Sequence, residues 1–292
     1  MGKLVPWLIL LFMGVAWGLS FSLAKIAMEV GGSAYGIVFW QSIISAAIIY
    51  VVSLYREPFR FEIKNALFFI VIALLGAVIP GILFYLAAPH LPAGILAITT
   101  ALVPIMTYAI AAPMRLEKTS VARFTGVMLG WTAILFLTIP KTSLPDSGAV
   151  PWVLLACIAS ACYSGENIIL SKFSPKNLGF IRLACGMNIV ATVILLPVTM
   201  FTNSFIIPHF PLGVLEISIL GLGILNAVAY TLFVLTVQLY GPLFASQTGY
   251  IVTLSGVIWG ILIFEEMHSI WVWVSLLLMI IGLFLVTPRS KT

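Results

Sequence analysis

Along most of the chain, apolar runs about twenty residues long alternate with short polar breaks. A helix needs about 20 consecutive apolar residues to cross the hydrocarbon core of a bilayer. Ten such runs are legible, at roughly 4–25, 34–55, 65–88, 93–114, 121–140, 150–171, 178–202, 212–238, 243–264 and 269–287. Period-two alternation is missing, which argues against a transmembrane β-barrel. The pattern predicts an all-α integral membrane protein of ten transmembrane helices. It also predicts short connections and no soluble domain before, between or after the spans.

Composition and charge refine the picture. Hydrophobic residues make up 62% of the 292 and charged residues 8%, with a mean hydropathy of +1.19, whereas about a quarter of a soluble domain is charged. The net charge of +5 is unevenly placed. With the N-terminus cytoplasmic, Lys3, Arg56, Arg60, Lys64, Arg115, Lys118, Arg123, Lys172, Lys176, Arg182, Arg289 and Lys291 fall on or near the cytoplasmic side. Only Lys25 and Lys141 fall outside. That bias follows the positive-inside rule and supports ten spans with both termini cytoplasmic, in a plasma (bacterial inner) membrane. The basic charge thus reads as topology, not as a nucleic-acid surface. Lys3 and the apolar run leading to Ser22–Ala24 imitate a signal peptide, but nine further spans make it an uncleaved first helix. Cys157, Cys162 and Cys185 match no metal or redox spacing and read as small packing residues.

Landmarks recur at a nearly fixed offset. Gly18–Lys25 (GLSFSLAK) closes the first run and Gly165–Lys172 (GENIILSK) the sixth, 147 residues later. Glu117 in MRLEK and Glu265 in IFEEM are 148 apart. The chain therefore reads as one five-span unit used twice, residues 1–145 and 146–292. Five is odd, so the second unit starts on the opposite side of the membrane. That is the inverted-repeat plan of many secondary transporters, whose halves alternately open a midplane site to either side.

The segment Tyr85–Lys118 (YLAAPHLPAGILAITTALVPIMTYAIAAPMRLEK) resembles the signature of the drug/metabolite transporter superfamily, in its ten-helix EamA-type branch, through Ala93, Ala97, Pro104 and Glu117. The second copy, Phe233–Glu266, keeps Ala245 and Glu265 but has Val252 in place of Pro104, which puts a helix break there in doubt. The resemblance spans essentially the whole chain. It implies a five-plus-five inverted fold around a central cavity, and export of small metabolites. Around Cys162–Lys172 the chain also resembles the YddG-type exporters of aromatic amino acids; other branches carry sugars, nucleotide sugars, purines or polar amino acids.

Several polar and aromatic residues sit at helical spacing within the runs, where positions three and four apart share a face. Ser160, Tyr163 and Asn167, with Glu166 beside them, mark the sixth span. Asn226 and Tyr230 mark the eighth, Gln247 and Tyr250 the ninth, Thr100 and Tyr108 the fourth, and Trp17, Ser20 and Phe21 the first. Tyr85 lies at the end of the third. Lipid offers these groups no hydrogen-bond partner, so they face one another or a water-filled cavity. One reading makes Trp17, Tyr85, Tyr108, Tyr163, Asn167, Asn226, Tyr230, Gln247 and Tyr250 a substrate-binding lining of rings and amides suited to an amphipathic solute. The other makes them interhelical glue or interfacial belts, as expected of Trp271 and Trp273.

Glu166 carries the sharpest question, since a mid-membrane carboxylate costs about 2.5–3.5 kcal/mol on insertion scales. Lys172 lies about 9 Å further along the helix axis. Glu166 is therefore expected either to borrow water or a cation such as Lys172 or Arg182, or to be a protonatable group that couples transport to pH. Lys25 and Lys172 read as snorkelling anchors, and their symmetry makes them gating candidates. Gly14 and Gly18 are spaced for close helix contact, and Pro80 in GAVIPG is placed to kink the third span. Glu117 and Glu265 read as turn stabilisers. His90, His209 and His268 form no metal set, and no cofactor is expected. GxxxxGK[ST], HExxH and a compact Ser/His/Asp set are all missing from the sequence, which leaves ATP hydrolysis and intramembrane catalysis without support. A passive channel or facilitator stays open as the alternative to a carrier.

Overall fold

The computed structural model of the chain describes residues 4–114, 120–139, 144, 147–175 and 178–286. Lys3, Arg115, Glu117, Lys118, Lys141, Lys176, Arg289 and Lys291 lie outside the described residues, so the sequence readings that rest on them are left there. Among the described residues all regular structure is helical. The helices are α1 (Val5–Glu29), α2 (Ala34–Arg56), α3 (Ala66–Ala73), α4 (Ile79–Ala87), α5 (Ala93–Thr100), α6 (Leu102–Ala111), α7 (Val121–Thr138), α8 (Val150–Phe173), α9 (Phe180–Phe201), α10 (Val214–Ser246), α11 (Thr248–Phe264) and α12 (Ile270–Val286). Eight segments are long and apolar enough to cross a membrane, and two shorter apolar helices, α11 and α12, complete ten. The fold is the ten-helix, five-plus-five arrangement.

Two prolines explain why two spans are broken into pieces. Pro80 has no N–H to give the carbonyl of Gly76, four residues earlier. There the third span loosens into a π-helical turn, Leu74–Val78, between α3 and α4. Pro104 likewise withdraws a donor from Thr100, and α5 ends at that residue. The loosened backbone finds side-chain donors on α8: Ser160 Oγ donates to Thr99 O at 3.0 Å and Ser164 Oγ to Val103 O at 2.8 Å. Val252, at the equivalent place in the second half, has its N–H, and α11 runs through it unbroken. One boundary differs from the sequence pattern. α10 continues past the polar break to Ser246 and meets α11 across Gln247 alone, so no open loop separates the eighth and ninth spans.

The packing of the two halves is reciprocal. α2 packs on α9, α5 on α11 and α7 on α12. α1 packs on α10 and α11, and its counterpart α8 packs on α4 and on α5 and α6. Small residues permit the closest crossings, as membrane interfaces favour. A Cβ at Gly14 would overlap Ile251, and one at Gly18 would overlap the Ser255 side chain. Ser255 Oγ instead donates to Gly14 O at 2.9 Å, tying α1 to α11. Cys157 and Cys185 are buried, and all three cysteines are free thiols.

Candidate functional site

One face of α1 starts two ladders of aromatic rings. Trp17 meets Phe233 edge-on at 5.5 Å between centroids, and Phe233 leans on Tyr230 at 6.4 Å. One helical turn further along α1, Phe21 meets Phe84 edge-on at 5.3 Å, and Phe84 stacks on Tyr163 at 6.1 Å. Edge-to-face and offset contacts at these separations suit ring quadrupoles. Both ladders end beside one acid. The Tyr230 hydroxyl donates to Glu166 Oε1 at 2.6 Å, and Tyr163 precedes Glu166 by three residues on the same face of α8.

Glu166 is 3% exposed. Of the partners the sequence offered, neither cation, Lys172 nor Arg182, is the one found; the phenol of Tyr230 is. The reason is rotational. Glu166 points toward Tyr230 of α10 and Gly76 of the π turn, while Lys172 is at the exposed end of α8 with its Nζ 5.4 Å from the Phe173 ring. Space for the carboxylate comes from Gly76, in the middle of the π turn, where a Cβ would collide with it. Pro80 thus acts through more than a kink, because the turn it enforces lays a side-chain-free backbone against the acid.

The other candidates separate by location. The sixth-span stripe divides: Ser160 and Ser164 serve the broken fourth span, while Tyr163 and Glu166 face the ladders. Asn226 bridges helices, donating to Ser45 Oγ at 3.1 Å and Asn188 Oδ1 at 3.2 Å. Buried Tyr85 donates to Gln41, near the end of α4. Buried Tyr108 lies under the guanidinium of Arg123 at 5.2 Å, close to the end of α6. Half-buried Gln247 and Tyr250 sit at the α10–α11 junction, and half-buried Asn167 on α8. Trp17, Tyr163 and Tyr230 are therefore brought together; Tyr85, Tyr108, Asn226, Gln247 and Tyr250 are distributed around them. Sequence spacing missed Phe84 and Phe233, which join the ladders, because single phenylalanines in apolar runs carry no distinguishing signal.

A second polar cluster closes the end of the bundle at which α1 finishes. Glu266, in the short α11–α12 connection, accepts the backbone N–H groups of Ala93 and Gly94 at 2.5 and 3.0 Å. These are free donors at the start of α5, where helix geometry favours a negative charge. Lys25 Nζ stands 3.7 Å from Glu266 Oε1 and donates to Leu91 O at 3.3 Å. His268 Nε2 is 3.4 Å from Oε2. Burial alone would raise the Glu266 pKa, but His268, the two N–H groups and Lys25 outweigh it and hold it below the usual carboxylate range. Lys25, one gating candidate, is thus part of a clasp that ties the end of α1 to the α11–α12 connection, whereas among the described residues Lys172 lies against the Phe173 ring and joins no such clasp. Glu265, the repeat landmark, sits in the left-handed region at the end of α11 (φ 53°), which turns the chain and presents Glu266. Beside the clasp lies a cavity of about 450 Å³ lined by Lys25, His90, Leu91 and Trp152, with His90 stacked on Trp152 at 3.9 Å. Among the described residues no group of His, Cys, Asp or Glu is disposed to hold a metal.

A ten-helix membrane bundle with reciprocal halves and ring-lined polar residues between them has the form of a polytopic transporter. The family model for the EamA-like transporter family matches residues 5–139 and again 150–287. The chain belongs to that family and is a membrane transporter. It is 24% identical over 254 residues to a WAT1-related protein of Arabidopsis thaliana, covering 77% of this chain and 73% of that one. A solved crystal structure superposes on it with a TM-score of 0.69 at 14% identity, covering 98% of this chain and 97% of the other. At that identity the likeness concerns the fold.

Proposed function

We propose that the protein is a secondary transporter that exports small amphipathic metabolites, aromatic and other amino acids first among them, by alternating access through the middle of the bundle. The observation that carries this reading is the convergence of two aromatic ladders on Glu166. Rings on α1, α4, α8 and α10 offer faces and edges to an aromatic side chain, and a carboxylate with no cationic partner among the described residues offers a counter-charge to an ammonium group. In this reading Trp17, Tyr163 and Tyr230 touch the substrate, and Tyr85, Tyr108, Asn167, Asn226, Gln247 and Tyr250 border its path. Glu166 exchanges a proton or the substrate ammonium, which links transport to the proton gradient.

The repeats divide at residues 1–145 and 146–292, a division supported by the reciprocal packing and by a family match in each half. The termini are cytoplasmic in the plasma membrane and the Lys25 end faces outward, so the Glu266 clasp is the outer gate. Lys172 marks the equivalent point of the second repeat at the inner end.

Counterflow of labelled phenylalanine into liposomes containing the purified protein tests the proposal, with unlabelled amino acids, sugars and nucleosides as competitors. Saturable exchange competed by aromatic amino acids is expected. Competition by sugars or nucleosides alone would keep a carrier and reject this substrate class, and unsaturable equilibration would make the protein a passive facilitator.

A further inference from the structure

At the end of the bundle opposite the clasp, residues 58–65 of the α2–α3 connection face Pro175, Leu178 and Arg182 across a cleft of about 470 Å³. Arg60, Lys64 and Arg182 line it, with Glu62 the only acid among the lining residues. Glu62 is already engaged. Its Oε2 takes Lys64 Nζ at 2.8 Å and Asn65 Nδ2 at 3.4 Å, and Lys64, with a smaller effect from Arg182, holds its pKa below the usual range. Glu57 stands nearby, against Gly179 at the start of α9, but does not line the cleft. Two guanidinium groups are left over. Among the described residues Arg182 Nε is buried without a hydrogen-bond partner, and so is the acceptor Glu57 Oε2. A buried donor without an acceptor is uncommon and costly, and the guanidinium that carries it is one of the groups lining the cleft.

We propose that this cleft binds a phosphate group through Arg182 and Arg60. Planar guanidinium forks match tetrahedral oxyanions by paired N–H donors, and the surplus of two cations matches a doubly or singly charged phosphate. The position favours a headgroup as the carrier of that phosphate. α2 ends at Arg56, α3 starts at Ala66 and α9 starts at Phe180, so the cleft opens where these spans leave the hydrocarbon. Pro58, Pro175 and Leu178 add apolar wall on which a glycerol backbone can rest. A free phosphate in solution would offer the same oxygens.

The site predicts a function apart from the transport path: an anionic lipid seated there joins the two connections and stabilises this end of the bundle. The test uses full-length protein in neutral detergent, with apparent melting temperature as the readout. Phosphatidylglycerol, phosphatidylcholine and inorganic phosphate are titrated separately, each against chloride at matched ionic strength. Stabilisation by phosphatidylglycerol above phosphatidylcholine, with inorganic phosphate inert, is the expected result and assigns the lipid. Stabilisation by inorganic phosphate as well would assign the free anion to the same site. Arg182→Gln is expected to weaken the apparent affinity about tenfold, the loss of one charge-assisted hydrogen-bonding group. Because Arg182 is partly buried, the exposed Arg60→Gln supplies a second variant with the same expected direction. Equal stabilisation by the two lipids without any phosphate effect, or unchanged affinity in both variants, would overturn the assignment.

Discussion

Glu166 and Glu266 are both withdrawn from solvent, yet among the described residues Glu266 is ringed by donors and Glu166 has one. Glu266 takes two backbone N–H groups, with an ammonium and an imidazole within 3.7 Å. Glu166 takes a single phenol and otherwise faces rings and the bare backbone of Gly76. A buried charge persists when it is paired and hydrogen-bonded. Glu266 meets that condition and works as a fastener. Glu166 meets half of it, and such an under-compensated acid in the middle of a transporter is where a proton or a cationic substrate group has a reason to arrive.

Breaking the fastener should produce the largest loss. Glu266→Ala leaves two helix-start N–H groups without their acceptor and Lys25 without its counter-charge, and removing one partner of a buried pair costs about 3–5 kcal/mol. The apparent melting temperature should fall clearly; an unchanged value would mean that the clasp contributes nothing. Glu266→Gln, which keeps one acceptor oxygen, should fall less. The pH dependence has a definite direction. The folded pKa of Glu266 lies below the ordinary carboxylate value of 4.5, so its charge contributes stability fully above that value. The contribution is lost as pH falls through the lower folded pKa. The melting-temperature gap between wild type and Glu266→Gln should therefore be constant near neutrality and narrow below pH 4.5.

At Glu166 the surrounding space is the sensitive quantity. Gly76→Ala places a methyl group where the carboxylate lies, and overpacking of this kind costs about 1–3 kcal/mol. A Gly76→Ala, Glu166→Ala double variant should recover part of that loss, since the two changes compete for one volume. Simple addition of the two losses would deny the contact. Tyr230→Phe removes the only hydrogen bond to Glu166 among the described residues while keeping the ring. Interhelical hydrogen bonds in membranes average about 0.6 kcal/mol and reach about 1.7, so a drop in melting temperature smaller than that of Gly76→Ala is expected.

The two acids also differ in how well a sequence reveals them. The spans, the paired halves and the Gly14–Gly18 crossing were legible because each follows from composition or spacing over many residues. Glu166 stood out because a carboxylate in an apolar run is rare. Its partner did not, since Lys172 and Arg182 are near in sequence whereas Tyr230 is brought up from another half-turn of the fold 64 residues away. Glu266 was passed over for Glu265, its neighbour at the repeat offset. Only the left-handed turn at Glu265 decides which of two adjacent acids reaches α5. Gly76 carries no signal of its own beside Pro80 in GAVIPG, and its use as room for a carboxylate is a property of two helices together.

The smallest expected effect on stability belongs to the substitution that matters most for mechanism. Glu166→Gln preserves volume and keeps a carbonyl oxygen for the Tyr230 hydroxyl, so the fold should lose little, within about 1 kcal/mol for one altered hydrogen bond. What the amide cannot do is take up and release a proton. If Glu166 couples transport to the gradient, the variant should still exchange labelled for unlabelled phenylalanine across liposomes, while an imposed pH difference no longer drives accumulation. Exchange and gradient dependence would then separate in one protein, something a purely structural acid would not produce. Retained gradient-driven accumulation in Glu166→Gln would reduce Glu166 to a packing residue and move the coupling site elsewhere. Loss of exchange together with accumulation, in protein that still melts normally, would instead make the carboxylate the counter-charge to the substrate ammonium.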